Sequence, residues 1–193
     1  PVSKLKLTSD YYKAVFHLMK YPGTETENAL LGLVQSDSKD QPVLIARRKA
    51  VEVLARLGCV RAIPSIGLCL KSKDPILVEN AAWALKELRC NDKAIHQEMV
   101  SLIDDETQNR RVLVQSLASL RVVSAVGRIK ELLNENISHG LKGACLAAIS
   151  TLCNKRGVLL ELEPFLSLPN QNARQCAIED VINGGGIELL PSV

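Results

Sequence analysis

An internal repeat constrains this chain more than any other feature of its sequence. Apolar residues recur at intervals of 31 or 32 positions, and a second apolar series follows three positions after the first. The first series is Leu54, Leu85, Leu117, Ile149 and Val181, and the second is Leu57, Leu88, Leu120 and Leu152. Residues three apart lie on the same helix face, one turn apart. A fixed period of this length, carried by helix faces, predicts a stack of similar helical units.

Each unit is predicted to hold a longer helix followed by a shorter one. The longer helices are expected at 46–58, 77–89, 109–121 and 141–153, and the shorter ones at 62–71, 94–103, 124–133 and 158–168. Polar turns separate the units, and Asp74-Pro75 marks a helix stop and restart because the residue before proline avoids the helical region. Helix pairs at this period, without the tetratricopeptide aromatics or the ankyrin TPLH motif, are typical of HEAT repeats.

The predicted fold class is therefore all-α, a HEAT-like helical-repeat superhelix (α-solenoid) of about five to six helix pairs in a single domain, 1–193. The units are expected at 10–43, 44–75, 76–106, 107–136, 137–170 and 171–186, with 187–193 as a tail. The first unit is looser and carries a polar insert at 35–43. The last unit is degenerate, and Gly184-Gly185-Gly186 is expected to be flexible.

Composition and charge exclude several classes of function. The net charge is only +3, from 24 basic and 21 acidic residues, whereas nucleic-acid binding rests on many phosphate contacts from a basic stripe. No apolar run approaches the ~20 residues of a membrane span. The six cysteines form no CxxC pair, and we expect buried, reduced thiols. The chain is thus predicted to bind neither nucleic acid nor a membrane interior.

A search for catalytic motifs gives negative results. None of the three histidines stands in a His-Glu pair, and no phosphate loop, GxSxG elbow or HExxH motif occurs. Asp104-Asp105-Glu106 is interpreted as a solvated turn that places negative charge near helix N-termini, so no metal site is expected. The catalytic residues remain unassigned. We therefore expect the chain to act through a binding surface formed by its stacked helices.

Two segments carry more specific information than the repeat. The first predicted unit opens with YYKAVFHLM at 11–19, and the helix around the only tryptophan reads VENAAWAL at 78–85. Between them stand RRKA at 47–50 and LARLG at 54–58. In this order they resemble the E/F-type phycobilin lyases, the HEAT-repeat proteins that attach open-chain tetrapyrroles to phycobiliprotein cysteines. The resemblance is clearest over 11–103 and becomes generic HEAT beyond. By its length the chain is similar to the small, chaperone-like members associated with phycoerythrin.

The resemblance implies a transient bilin substrate, expected to be phycoerythrobilin, and no tightly bound cofactor. It implies a phycobiliprotein subunit as partner and allows a second lyase subunit of the same family. The acceptor protein's thiol adds across an exocyclic ethylidene double bond of the bilin, so the lyase orients and shields the pigment and assists proton transfer. The chain is then either a catalytic lyase subunit or a chaperone-like partner. The implied compartment is a cyanobacterial cytoplasm or the plastid stroma of an alga that contains phycobiliproteins.

A bilin is largely apolar and carries two propionates, so its site needs aromatic faces and cations. The candidate ring platforms are Tyr11, Tyr12 and Trp83, and the candidate propionate partners are Arg47 and Arg48. Glu79 and His96 are the candidates for moving a proton. Each of these residues also has a purely structural interpretation, as core or surface. The alternative function is a HEAT-repeat adaptor that binds another protein and has no pigment role.

Overall fold

The computed structural model describes residues 8–190, and every regular element in that range is helical. The α-helices are α1 (Thr8–Leu18), α2 (Thr24–Val34), α3 (Gln41–Arg56), α4 (Ile63–Cys69), α5 (Pro75–Glu87), α6 (Lys93–Ser101), α7 (Arg110–Ser119), α8 (Val126–Leu132), α9 (His139–Cys153), α10 (Glu163–Leu166) and α11 (Gln171–Asn183). The chain divides into two compact units, and the boundary falls after Asn91. The all-α prediction is confirmed. The prediction that the chain forms a single repeat domain stays a prediction.

In the first unit, helices α1, α3 and α5 lie side by side, and α2 and α4 pack on them as a second layer. Their shared core consists of completely buried aliphatic side chains from four helices: Leu30, Leu54, Ile66, Leu77 and Leu85. Leu54 and Leu85 belong to the apolar series that predicted the repeat. That series therefore marks the face that each longer helix turns toward the core.

Helix starts in the first unit follow capping chemistry. The side chain of Asp74 accepts a hydrogen bond from the backbone N–H of Ile76 (3.1 Å), and Pro75 occupies the first turn of α5, where a missing N–H costs little. This confirms the predicted restart. The predicted end of the polar insert, residue 43, was wrong. Helix α3 already begins at Gln41, with Pro42 in its first turn, so the insert ends at residue 40.

In the second unit, α7 packs against α9, and α9 packs against α11. The helix predicted at 158–168 is the least regular element. Residues Arg156–Leu162 form a 3-10 segment, and α10 then begins at Glu163 with Pro164 in its first turn. The tighter segment still buries Leu159 and Leu162 against Leu146 and Val181.

The longer helices of successive helical repeats end in the same way. A left-handed residue follows each of them, at 31 to 33 residue intervals: Gly58 (φ 68°), Arg89 (φ 52°), Arg121 (φ 58°), Asn154 (φ 53°) and Gly185 (φ 79°). Glycine and asparagine adopt this conformation readily. Arg89 and Arg121 do not, since a Cβ in the left-handed region costs about 1–2 kcal/mol. The repeat thus fixes a backbone conformation even where the residue is unfavourable.

We expect Arg89→Gly to raise the free energy of unfolding by about 0.5–1 kcal/mol, because glycine relieves the strain at φ 52°. The measurement is a shift of the urea midpoint at unchanged slope. Arg89→Ala is the control: it removes the same exposed side chain but keeps the Cβ, so it gives no gain. Equal stabilisation by both variants would contradict the strain argument.

A buried ion pair spans three helices of the second unit. Arg111 on α7 donates to the carboxylate of Asp180 on α11 (2.7 Å) and to the carbonyl of Gly140 on α9 (2.5 Å). Asp180 is 1% exposed, and a Cβ at Gly143 would collide with its carboxylate. Burial raises the pKa of Asp180, and the hydrogen bonds from Arg111 and Gln115 oppose that rise. Because Gly143 has no side chain, the Asp180 carboxylate can lie against α9 and reach Arg111 on α7.

The glycines expected to form a flexible tail instead close α11. The N–H of Gly184 donates to the carbonyl of Asp180 (2.8 Å), and the Ser150 hydroxyl donates to the carbonyl of Gly184 (2.8 Å). A Cβ at Gly184 would lie 2.6 Å from a methyl carbon of Leu159. The expectation of flexibility was wrong because Gly184 is hydrogen bonded on both sides and packs closely against Leu159.

The cysteines agree with the expectation of reduced thiols. Four of the six are buried: Cys59, Cys69, Cys90 and Cys145. Burial raises the pKa of Cys145 to about 12. A thiol in that environment stays protonated at neutral pH and is a poor nucleophile.

Candidate functional site

A continuous row of rings and charges lies across the three side-by-side helices of the first unit. We call it the aromatic–cation row; it comprises Tyr12 and Phe16 on α1, Lys49, Glu52 and Arg56 on α3, and Trp83 on α5. Residues three and four apart share a helix face, so each helix presents its members in one direction. The row is built entirely within one compact unit.

Lys49 occupies the α1 end of the row. Its ammonium lies 5.2 Å from the ring centroid of Tyr12 and 5.1 Å from that of Phe16, and it pairs with a carboxylate oxygen of Glu52 at 2.7 Å. Lys49 is only 8% exposed. A lysine this buried needs a partner for its charge, which Glu52 and the two ring faces supply.

Glu52 joins the two cations of α3. It accepts hydrogen bonds from Lys49 (2.7 Å) and from Arg56 (2.8 Å). Burial acts to raise the pKa of Glu52, but the hydrogen bonds and charges of Lys49 and Arg56 hold it below its ordinary value. Glu52 is therefore a carboxylate at neutral pH. Two cations and one anion leave the row with a net charge of one positive unit.

Arg56 and Trp83 form the α5 end. The guanidinium carbon lies 5.6 Å from the centroid of the tryptophan ring, within the range of a cation–π contact. The Arg56 side chain is 52% exposed, and Tyr12 and Phe16 are 44% and 39% exposed. The row therefore offers ring surface and one accessible cation to a ligand, while Lys49 and Glu52 form its floor.

Comparisons with known proteins agree with the sequence resemblance. Residues 46–72, which include most of α3 and all of α4, match the family model described as PBS lyase HEAT-like repeat. The chain is 40% identical over 186 residues to the bilin biosynthesis protein CpeY of Synechococcus sp. (strain WH8020). It is 31% identical over 182 residues to the uncharacterized phycocyanin operon protein Y of Pseudanabaena tenuis (strain PCC 7409).

These matches cover 96% and 94% of this chain. They support an E/F-type phycobilin lyase family for this chain. It spans less than half of the two relatives, 44% of CpeY and 43% of the phycocyanin operon protein. The prediction that it stands nearest to the small, chaperone-like members stays a prediction.

A solved structure supports the fold class. The complex of CpcE and CpcF of phycocyanin lyase from Nostoc sp. PCC7120 matches 93% of this chain and 73% of the other chain, with a TM-score of 0.76 at 22% identity. This likeness, together with the matched HEAT-like repeat, confirms the HEAT-like fold of the chain. Across residues 8–190, no helix combines the length and apolarity that a membrane crossing requires.

Two of the residues proposed from the sequence lie in the aromatic–cation row, Tyr12 and Trp83. Tyr11 is half-buried and points about 100° away from Tyr12 around α1. Glu79 lies one turn before Trp83 on α5 and is half-buried, and His96 lies on α6 in the second unit. Of the ring platforms, only Tyr12 and Trp83 are thus joined by the row.

The arginines proposed as propionate partners are engaged in structural contacts. Arg47 donates to the carbonyl of Val34 at the end of α2 (2.8 Å). Arg48 makes a two-pronged contact with the carboxylate of Asp74 (2.6 and 2.9 Å). Both guanidiniums therefore fix α3 to neighbouring segments, and the row obtains its accessible cation from Arg56.

Sequence reasoning missed Phe16, Lys49, Glu52 and Arg56. A signal for them was present, since Lys49, Glu52 and Arg56 stand at i, i+3 and i+7, the spacing at which opposite charges pair along a helix face. Tyr12 and Phe16 likewise stand four apart. The link between the two helices was not readable, because it depends on how α1 packs on α3.

The second unit contains an apolar cavity of about 430 Å³. Its lining residues are Leu159, Leu160, Glu163, Leu166, Ser167, Val181 and Leu189. The volume suits a small organic molecule. However, the lining residues that the structure describes include a carboxylate and no lysine or arginine, so the cavity is a poor match for a ligand that carries carboxylates.

The acidic turn at 104–106 is held by an ion pair and by local hydrogen bonds. Asp104 pairs with Arg128, and Asp105 accepts a hydrogen bond from the backbone N–H of Thr107 (2.9 Å). The hydrogen bonds from Thr107 hold the pKa of Asp105 below its ordinary value. Within the described part of the chain, no group of three or more histidine, cysteine or acidic residues is arranged to hold a metal ion.

Proposed function

We propose that this chain takes part in attaching a phycobilin to a cysteine of a phycobiliprotein subunit, as a lyase subunit or as a chaperone-like partner of one. The expected pigment is phycoerythrobilin. The observation that carries the proposal is the aromatic–cation row, and the bilin biosynthesis name of its relative CpeY supports it.

The row complements a bilin chemically. The pyrrole rings of the pigment stack on aromatic side chains, and Tyr12, Phe16 and Trp83 offer such surfaces. A propionate is satisfied by a guanidinium, which Arg56 presents at the exposed edge of the row. Glu52 stays ionised and holds Lys49 and Arg56 in position, so we assign it a positioning role.

The chemistry requires no nucleophile from this chain. The acceptor cysteine's sulfur forms a bond to the ethylidene carbon of the bilin, the carbon–carbon double bond opens, and the thiol proton ends on the pigment. Holding the bilin in one orientation lowers the entropic part of the barrier to this addition. Glu79 and His96 stay candidates for assisting the proton transfer.

The proposed partners are a phycobiliprotein subunit and a second lyase subunit of the same family. The solved CpcE–CpcF complex, in which two such proteins assemble, supports the second of these. The proposed compartment is the cytoplasm of a cyanobacterium, as in the organisms of its relatives, or an algal plastid stroma.

A titration with phycoerythrobilin tests the pigment site. We expect the wild-type protein to change the visible absorption of the bilin and to elute with it. Arg56→Gln and Trp83→Ala should each weaken binding by about tenfold, because each removes a contact worth roughly 1 kcal/mol or more. Arg61→Gln is the matched control, since Arg61 is similarly exposed (45% against 52% for Arg56) but pairs with Glu27 outside the row.

An unchanged spectrum without co-elution would leave the adaptor function as the better account. Weakening by Arg61→Gln as strong as that by Arg56→Gln would remove the row as the site. Co-expression with a phycoerythrin subunit tests the activity itself. The proposal predicts more soluble subunit or more attached pigment. If co-expression increases neither the soluble subunit nor the attached pigment, the proposal is contradicted.

A further inference from the structure

One apolar position of the repeat is buried in α3, α5, α7 and α9 but exposed in α11. It lies three residues before the series that predicted the repeat, and its members are Val51, Ala82, Val114, Leu146 and Ile178. The first four side chains are at most 1% exposed, whereas Ile178 is 40% exposed. The same repeat position that serves as core in four longer helices is therefore open to solvent in the fifth.

The position one turn further along α11 behaves in the same way. Ala118 on α7 is 9% exposed and Ser150 on α9 is 3% exposed, whereas Ile182 on α11 is 48% exposed. Ile178 and Ile182 stand four residues apart, so they form one apolar stripe along α11. We call this surface the α11 face; it comprises Ile178, Glu179 and Ile182.

The neighbouring layer shows what covers this position. Leu146 of α9 belongs to a buried cluster with Val181 of α11, and α11 packs along α9. Helix α11 itself buries Ala177 and Val181, which are four residues apart. In a helical-repeat stack, each layer meets the next through equivalent positions. The α11 face is therefore shaped for one more helix, with small aliphatic side chains at positions i and i+4.

The chemistry of the α11 face indicates contact with another protein. The outer surface of an outermost repeat has to be polar for solubility, whereas two isoleucines lie on this one. Exposed apolar patches of this kind mark protein–protein contacts. A second copy of this chain is a poor occupant. A two-fold pairing centred between Ile178 and Ile182 would bring the two Glu179 carboxylates close together, and like charges disfavour such a contact.

We propose that the α11 face docks a helix of a second HEAT-repeat lyase subunit, which adds one more layer to the stack. The covering helix is expected to carry alanine or valine against Ile178 and Ile182. It should also carry a lysine or arginine beside Glu179, whose side chain is 52% exposed. The identity of the subunit rests on the proposed function, whereas the exposed stripe and the need to cover it do not.

Isoleucine methyl NMR tests the docking surface directly. The probes are the other E/F-type HEAT-repeat subunits of the source organism, each purified and titrated against the full chain without any bilin. We expect one of them to form a complex with one copy of each protein, measured by light scattering, and to shift the methyl signals of Ile178 and Ile182. Ile76 is the internal reference, because it is 50% exposed on α5 in the first unit and should not shift.

Ile178→Asp and Ile182→Asp should each weaken this complex by at least about tenfold, because each would bury a carboxylate in an apolar contact. Leu68→Asp is the matched control, since it places the same charge on a leucine of α4 that is 67% exposed, and it should leave the affinity unchanged. Urea midpoints show whether the variants keep their fold, and the methyl shifts of the wild-type chain decide the question without them.

Three results would overturn the proposal: no subunit binds, binding leaves the methyl signals of Ile178 and Ile182 unshifted, or folded Ile178→Asp binds as tightly as the wild type. A wild-type dimer that Ile178→Asp converts to a monomer would assign the face to a second copy of this chain, and would overturn it too. A complex that forms as expected while the chain fails to bind phycoerythrobilin would contradict the pigment site alone.

Discussion

Replacing Asp180 by alanine is expected to lower the free energy of unfolding by about 3 kcal/mol, at the lower end of the range for breaking a buried ion pair. The variant leaves Arg111 without the carboxylate that balances it, in a position where its side chain is only 19% exposed. It also leaves a void beside Gly143, where the carboxylate now fits against the bare backbone of α9. Urea denaturation measures the change.

Glu179 provides the matched control. It lies on the same helix, pairs with the same arginine at 3.7 Å, and has a side chain that is 52% exposed. Because exposed ion pairs contribute little, Glu179→Ala should change stability by less than about 0.5 kcal/mol. Asp180→Asn should fall between the two, because an amide fills the space without the charge. A loss in Asp180→Ala no greater than that in Glu179→Ala would contradict the assignment of the bridge as a stabilising contact.

Replacing Leu54 by alanine is expected to cost about 2–5 kcal/mol, the usual range for emptying a well-packed site. Leu54 is completely buried on α3, the helix that contacts α1, α2 and α5, so little of the surrounding structure can close the cavity. Thermal and urea unfolding monitored by circular dichroism measure the effect. Leu68→Ala on α4 is the control, since that side chain is 67% exposed and should change stability by less than about 0.5 kcal/mol. Similar losses in both variants would be evidence against the repeat series as the core.

The sequence was sufficient to predict the repeat and its core. The reason is physical: Leu54, Leu85 and Leu117 are each buried in the same way by equivalent neighbours, so a single period describes them all. Helix ends were less readable. The start of α3 depends on Pro42, which suits a first helical turn as well as a loop, and the sequence contains no sign that separates the two.

Elements that rely on tertiary contacts were beyond prediction. The 3-10 segment Arg156–Leu162 has an apolar pattern that also suits an α-helix, and its tighter geometry follows from packing on α9 and α11. The glycines after α11 were interpreted as flexible because their partner, Leu159, lies 25 positions earlier in the chain. Contacts across such distances leave no local signature.

The candidate site shows the same division. Trp83 and Tyr12 stood out as scarce aromatic residues in distinctive segments. Arg47 and Arg48 stood out equally, but neighbouring residues on a helix point about 100° apart, and the direction of each depends on which segment packs beside it. Lys49, the next residue, is the one directed to the rings of α1.

The Arg111–Asp180 bridge changes how the end of such a chain is expected to come apart. In repeat proteins each unit touches only its neighbours, so terminal units detach first and one at a time. Here α11 is tied to α7 as well as to α9, across an intervening helix that has no side chain at Gly143. Detachment of α11 therefore also leaves the guanidinium of Arg111 on α7 without its carboxylate partner. The last three longer helices should consequently open as one cooperative block rather than by stepwise fraying.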